Sequence, residues 1–211
     1  MYLPAHFSES RTEVLQALMR ARPLATLVTL CASGLVANHL PLETLAEPLP
    51  FGSLRGHIAR ANPLWRDYPE GTAALAIFQG PQTYISPSLY PSKQQSGEVV
   101  PTWDYAVVHA HGTMRFIQEA DWLRGFVARL TDTHEASRPQ PWKINDAPAA
   151  YIDKMLSLIV GFEFSVTSLR GKWKVSQNRS HADRQGVITG LGESNDADSR
   201  EIAAMLAARD A

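Results

Sequence analysis

Arg60 and Asn62 stand in the run Gly56-His57-Ile58-Ala59-Arg60-Ala61-Asn62-Pro63, where an extended stretch gives way to a short helix. A guanidinium fork, a side-chain amide and the free N–H groups of a helix start together suit a phosphomonoester dianion. The same residues would also serve as a helix cap and a surface ion pair, and the segment by itself leaves both roles open. Trp103 and Tyr105 follow Pro101; such rings cover flat heteroaromatic ligands, and they equally fill cores and interfaces. His109 and His111 alternate on an extended stretch and so share a face, which is how a metal site can begin. No cysteine and no obvious acidic partner lies nearby in sequence, so packed or hydrogen-bonded imidazoles are the simpler reading. The chain has no Gly-x-Ser-x-Gly elbow, Walker loop, Gly-x-Gly-x-x-Gly turn or His-Glu-x-x-His pair, so familiar hydrolase and dinucleotide chemistry is not indicated.

These residues need a scaffold, and 211 residues with 45% hydrophobic content are enough for one domain with a substantial core. A single domain over 1–211 is expected, with a helical C-terminal segment over 179–211. Twenty Lys+Arg against 21 Asp+Glu leave a net charge of -1, which disfavours a polybasic nucleic-acid or membrane-surface protein. The lone cysteine, Cys31, excludes an intrachain disulfide framework and fits a reducing cytoplasm. The first residues show no cationic run leading into an apolar one, and no stretch approaches the ~20 apolar residues that span a bilayer. A soluble, cytoplasmic protein without membrane partners is expected.

Val14, Leu15, Leu18 and Met19 recur at helical spacing, which predicts a helix over 8–22 capped by Ser8 or Ser10. Residues 24–30 and 35–42 predict a hairpin around Ala32-Ser33-Gly34, and 53–59 a third strand running into a short helix. Two strand pieces, 73–78 and 82–86, are expected on either side of Gly80-Pro81, then a loop over 86–101 and a long strand over 106–117. The stripe Trp122, Leu123, Phe126, Val127 and Leu130 predicts an amphipathic helix over 119–133. A further helix over 149–158 and a strand over 160–167 follow. Strands without strict βαβ alternation predict a mainly β fold with peripheral helices, an antiparallel sheet or barrel.

Residues 179–191 and 199–209 predict two helices at the scale of a helix-turn-helix unit. From Ser180 onward there are three arginines, no lysines and six acids, a net of -3. Recognition helices present cations to phosphate, so packing helices are expected and direct DNA binding is disfavoured.

Six blocks in order carry a resemblance: Met1-Tyr2-x-Pro4-x-His6-Phe7, Ala37-Asn38-His39-Leu40-Pro41-Leu42, Gly56 to Pro63, Phe78-x-Gly80-Pro81-x-x-Tyr84-Ile85-Ser86-Pro87-Ser88, Val100-Pro101-Thr102-Trp103-x-Tyr105 and Lys174-Val175-Ser176-Gln177-Asn178-Arg179. Together, with the tail from Asp183 to Leu191, they resemble the PaiB family of FMN-binding proteins, often described as negative transcriptional regulators. The resemblance implies an FMN-binding split β-barrel assembled as a homodimer, with FMN at the subunit interface. It puts the phosphate at Arg60 and Asn62, and places His39, His57, Trp103, Tyr105, Lys174, Gln177 and Asn178 among flavin or pocket contacts. Two positions depart from the family pattern: Leu89 and Asp104 stand where members commonly carry Trp and Asn. The first removes a stacking surface, and the second adds negative charge that is unfavourable beside an anionic cofactor.

Three functions are open at this point. A flavin-dependent sensor or indirect regulator inherits the family description. An FMN-dependent oxidoreductase would take electrons from NADH or NADPH, with no residue assignable as acid or base. A haem-handling split barrel is the third, given seven histidines.

Overall fold

The computed structural model describes residues 1–210. In chain order the elements are β1 (Ser8–Glu9), α1 (Thr12–Ala21), β2 (Leu24–Cys31), β3 (Gly34–Pro41), β4 (Glu43–Leu45), β5 (Ser53–Ala59), α2 (Leu64–Asp67) and β6 (Ala73–Ile85). They continue with β7 (Thr102–Ile117), α3 (Ala120–Glu135), α4 (Ala149–Ser157), β8 (Ile159–Lys174), α5 (His181–Gly192) and α6 (Ala197–Asp210). The strands make one sheet in the order β3-β2-β6-β7-β8-β5-β4, with β1 added to β8. Every pairing with a defined register is antiparallel, so the expected class, mainly β with helices, is the observed one.

Two compact units divide the chain. One comprises Met1–Leu18, Phe78–His109 and the described part of Arg170–Ala211; the other comprises Met19–Ile77 and Ala110–Leu169. Strands β6, β7 and β8 each have residues in both.

In the first unit the expected helix start is corrected. Ser8 and Glu9 are extended and pair with Lys172 and Gly171 of β8. The Glu9 carboxylate accepts the Arg11 N–H at 3.1 Å, and α1 starts only at Thr12. The partner strand explains the difference, because β8 runs seven residues past the expected end at 167. Gly80 and Pro81 do not separate two strands. They lie inside the single strand β6, whose pairing with β2 covers only Ala74 to Ile77, so no N–H is demanded of Pro81 there. A Cβ at Gly80 would come within 2.7 Å of Leu18 Cδ1 and 3.1 Å of Ala106 Cβ, a close approach only glycine allows.

The C-terminal helices pack rather than project. Val187 and Leu191 of α5 meet Ile202, Ala203 and Leu206 of α6, and Ile85, Tyr90 and Val175 complete the cluster. Leu89 lies against Gly186 and Gly190, where a Cβ on α5 would overlap it. The residue expected to cost a stacking surface is thus a packing residue against a helix.

In the second unit Leu27, Leu54, Ile58, Phe162 and Phe164 are buried. Helices α3 and α4 form a satellite cluster through Leu123, Ile152 and Leu156. The hairpin β2–β3 turns at Gly34 with φ 104°, a conformation suited to glycine. Its register sets Leu24 opposite Pro41, Thr26 opposite His39, Val28 opposite Ala37 and Leu30 opposite Leu35. All eight face outward, with Leu24 65%, Leu30 52% and Leu35 77% exposed.

Candidate functional site

Arg60 sits directly after β5, and its position is set by the start of β8. Its backbone N–H donates to Leu158 O at 2.7 Å. Its side chain donates from Nε to Ser157 O at 2.8 Å, from Nη1 to Gln118 Oε1 at 2.8 Å and from Nη2 to Ile159 O at 3.0 Å. Trp65 supports it from α2, with its indole N–H on Arg60 O at 2.9 Å and its ring 5.9 Å from the guanidinium carbon. Three of five guanidinium N–H groups are thereby used and two remain.

Asn62 lies just before Pro63, the N-cap of the short helix. Its Oδ1 accepts the Leu64 N–H at 3.0 Å, while its Nδ2 donates to Asn38 Oδ1 at 2.8 Å. Asn38 Nδ2 is buried with no partner, an orphaned donor of the kind a ligand oxygen satisfies. His39, on the exposed side of β3, shares a 3.1 Å hydrogen bond with Thr26. His57 is half-buried on β5, edge-on to Phe126 at 5.8 Å, and burial pushes its imidazole below the ordinary value. These four residues belong to one unit. Asn38 and Trp65 belong with them; Asn38 was visible inside the second motif block, whereas nothing local in sequence pointed Trp65 at Arg60.

The other five residues belong to the other unit. Lys174, the last residue of β8, donates to Thr102 Oγ1 at 2.7 Å, Trp103 O at 2.5 Å and Asp104 Oδ1 at 3.2 Å. An ammonium has three protons, and these acceptors take all of them. Gln177 is similarly occupied: Nε2 donates to His6 O and Trp173 O, and Oε1 accepts the Val175 N–H at 2.8 Å. Asn178 is exposed in the turn before α5. Trp103 is 51% exposed, donates to Gln82 Oε1 at 3.1 Å and lies edge-on to Tyr84 at 6.2 Å. Tyr105 carries the Lys172 ammonium 5.4 Å from its ring centre.

Asp104 corrects an expectation. It is fully buried, with Lys174 and Ser176 on its carboxylate, so its charge is neutralised inside the fold instead of facing a ligand. Burial pushes its carboxyl above the ordinary range, opposed by the Ser176 hydroxyl and the Lys174 ammonium.

The donor set fits FMN at its phosphate end. Two free guanidinium N–H groups of Arg60 and the unpartnered Asn38 amide are what a dianion asks for, and Asn62 ties the amide to the helix start.

Comparison with known proteins identifies the family. The family described as "Putative FMN-binding domain" matches residues 1–168. The Bacillus subtilis protein named Protease synthase and sporulation protein PAI 2 is 30% identical, over 98% of this chain and 96% of that one. An Emericella nidulans protein, AN0679, is 33% identical over 90% of each. Among solved structures, the FAD and heme binding protein from Mycobacterium smegmatis superposes with a TM-score of 0.59 at 19% identity, over 79% of this chain and 73% of that one. The fold is the split barrel of flavin-binding proteins.

Proposed function

The chain belongs to the PaiB family of FMN-binding domains, and from that premise we propose that it binds FMN and works as a flavin-dependent sensor or indirect negative regulator of transcription. The observation that carries the FMN reading is Arg60, whose guanidinium is fixed by three hydrogen bonds and still has two donors left, two residues before Asn62, which is hydrogen-bonded to Asn38. Bound FMN supplies the redox chemistry. The chain's own part is to hold the phosphate with Arg60 and the two amides, and to keep the strand ends rigid through Lys174 and Gln177. His39, Trp103, Tyr105 and Asn178 remain candidates for the flavin ring and ribityl chain, and His57, which lines a separate apolar cavity, is not counted among them.

The outward face of β2–β3 supports a homodimer with FMN at the subunit interface. Six of its eight residues are apolar, and an exposed apolar face of this kind marks an interaction surface. The acidic tail supports indirect regulation, since it offers phosphate no cationic helix.

The test is an FMN titration followed by flavin absorption and fluorescence, then anaerobic addition of NADH or NADPH. Stoichiometric binding without rapid bleaching is expected. Rapid bleaching would replace the sensor reading with an oxidoreductase, and absence of binding would remove both.

A further inference from the structure

We propose that the apolar cavity bounded by β5, α3, α4 and the start of β8 is a binding site for a small, uncharged, largely aromatic molecule, separate from the FMN site. The cavity measures about 430 Å³, within the range of small-molecule sites. Its walls include His57, Val127, Trp142, Ile144, Met155 and Ile159. Among the described residues lining it, none carries a formal carboxylate, ammonium or guanidinium, and the polar side-chain groups are the His57 imidazole and the Trp142 indole. A charged ligand would lose its hydration there without compensation, whereas an uncharged one gains by burial.

Aromatic character follows from the walls. His57 and Trp142 supply ring surface to the lining, and His57 is itself held edge-on to Phe126 at 5.8 Å. Met155 adds a polarisable thioether that favours ring contacts. His57 Nδ1 is buried without a partner, so a ligand hydroxyl or carbonyl that reached it would satisfy a polar group the fold leaves unmatched. The surface suited to a second copy of this chain is a different one, the outward face of β2–β3.

The site also has a route to Arg60. Leu158 and Ile159 line the cavity, and their carbonyls accept from the Arg60 backbone and guanidinium at 2.7 and 3.0 Å. Occupancy that shifts this junction alters Arg60, and linkage requires FMN to change the ligand's affinity by the same factor. This second statement rests on the FMN reading; the first does not.

The probe is N-phenyl-1-naphthylamine, an uncharged dye that brightens in apolar surroundings, titrated into the full chain without FMN. Saturable enhancement with one dye per chain is expected, displaced about tenfold more effectively by 1-naphthol than by 1-naphthalenesulfonate. Met155→Trp or Val127→Trp, each from a half-buried helix position, should fill the cavity. Whichever of them keeps the wild-type circular dichroism is expected to weaken the dye about tenfold or more. No saturable signal, equal displacement by the sulfonate, one dye per two chains, or unchanged affinity in a folded variant would overturn the site. The displacement comparison on the wild-type chain decides the matter if neither variant folds. Stoichiometric expulsion of the dye by FMN would also overturn it, because the cavity would then be the flavin's own seat. Failure of FMN to bind while the dye still binds would leave this site standing and remove the FMN reading alone.

Discussion

The Asp104 carboxylate accepts a hydrogen bond from the Ser176 hydroxyl at 2.6 Å, joining residues 72 positions apart inside the fold. Ser176 has φ 63°, a left-handed backbone unusual for a residue with a side chain. The buried carboxylate holds that turn, and the Lys174 ammonium balances its charge at 3.2 Å. The result is a clasp between the start of β7 and the end of β8.

Asp104→Ala is expected to destabilise the chain by about 2–4 kcal/mol, because it leaves a buried hydroxyl and an ammonium short of an acceptor. Asp104→Asn keeps the shape and costs less. Because burial raises the carboxyl, the folded chain holds this proton more tightly than the unfolded chain does. The group's contribution is therefore most favourable in acid, declines as pH rises from the ordinary carboxylate range through the raised value, and is flat above. Urea midpoints of wild type and Asp104→Asn should move relative to each other in that window; parallel pH profiles would refute the assignment.

For His57 the sign is opposite. Burial lowers its affinity for the proton, so the unfolded chain takes up a proton first. Stability is complete above the ordinary histidine value, about 6.5, and falls as pH drops through it towards the lowered value. His57→Phe should flatten this acid limb in chemical denaturation, and an unchanged limb would place its origin elsewhere.

Arg60→Ala should weaken FMN by about 1.5–3 kcal/mol, the loss of charged hydrogen bonds to the phosphate. It should also lower stability, since Ser157 and Ile159 lose their donors. Arg60→Lys keeps the charge without the fork and is expected to fall between. Flavin fluorescence quenching separates the two effects, and undiminished affinity in Arg60→Ala would end the phosphate role.

Gly186→Ala is expected to cost about 1–3 kcal/mol, because the added methyl overlaps the Leu89 carbonyl on a rigid turn. Thermal unfolding measures it; a Tm equal to wild type would mean that α5 can move away from Leu89 freely.

What the sequence made legible was local. The hairpin β2–β3 and helix α3 were readable because a glycine turn and an apolar stripe are short-range signals. Strand β1, the unbroken β6 and the last seven residues of β8 were not, because each depends on a partner far along the chain. The site divides in the same way. Arg60 was visible as a guanidinium at a strand end, but the acceptors of its side chain lie 58 to 99 residues away. Asp104 read as a negative charge beside an anionic cofactor because Lys174 and Ser176, which hydrogen-bond its carboxylate, are 70 and 72 residues on.

Glu9 binds Arg11 two residues later at 2.7 Å and Arg209 two hundred residues later at 2.9 Å. The first partner leaves the ribosome with it and the second only two hundred residues afterwards. The unit containing all three therefore closes only once α6 has been made, and until then β1 and its carboxylate wait for both β8 and α6.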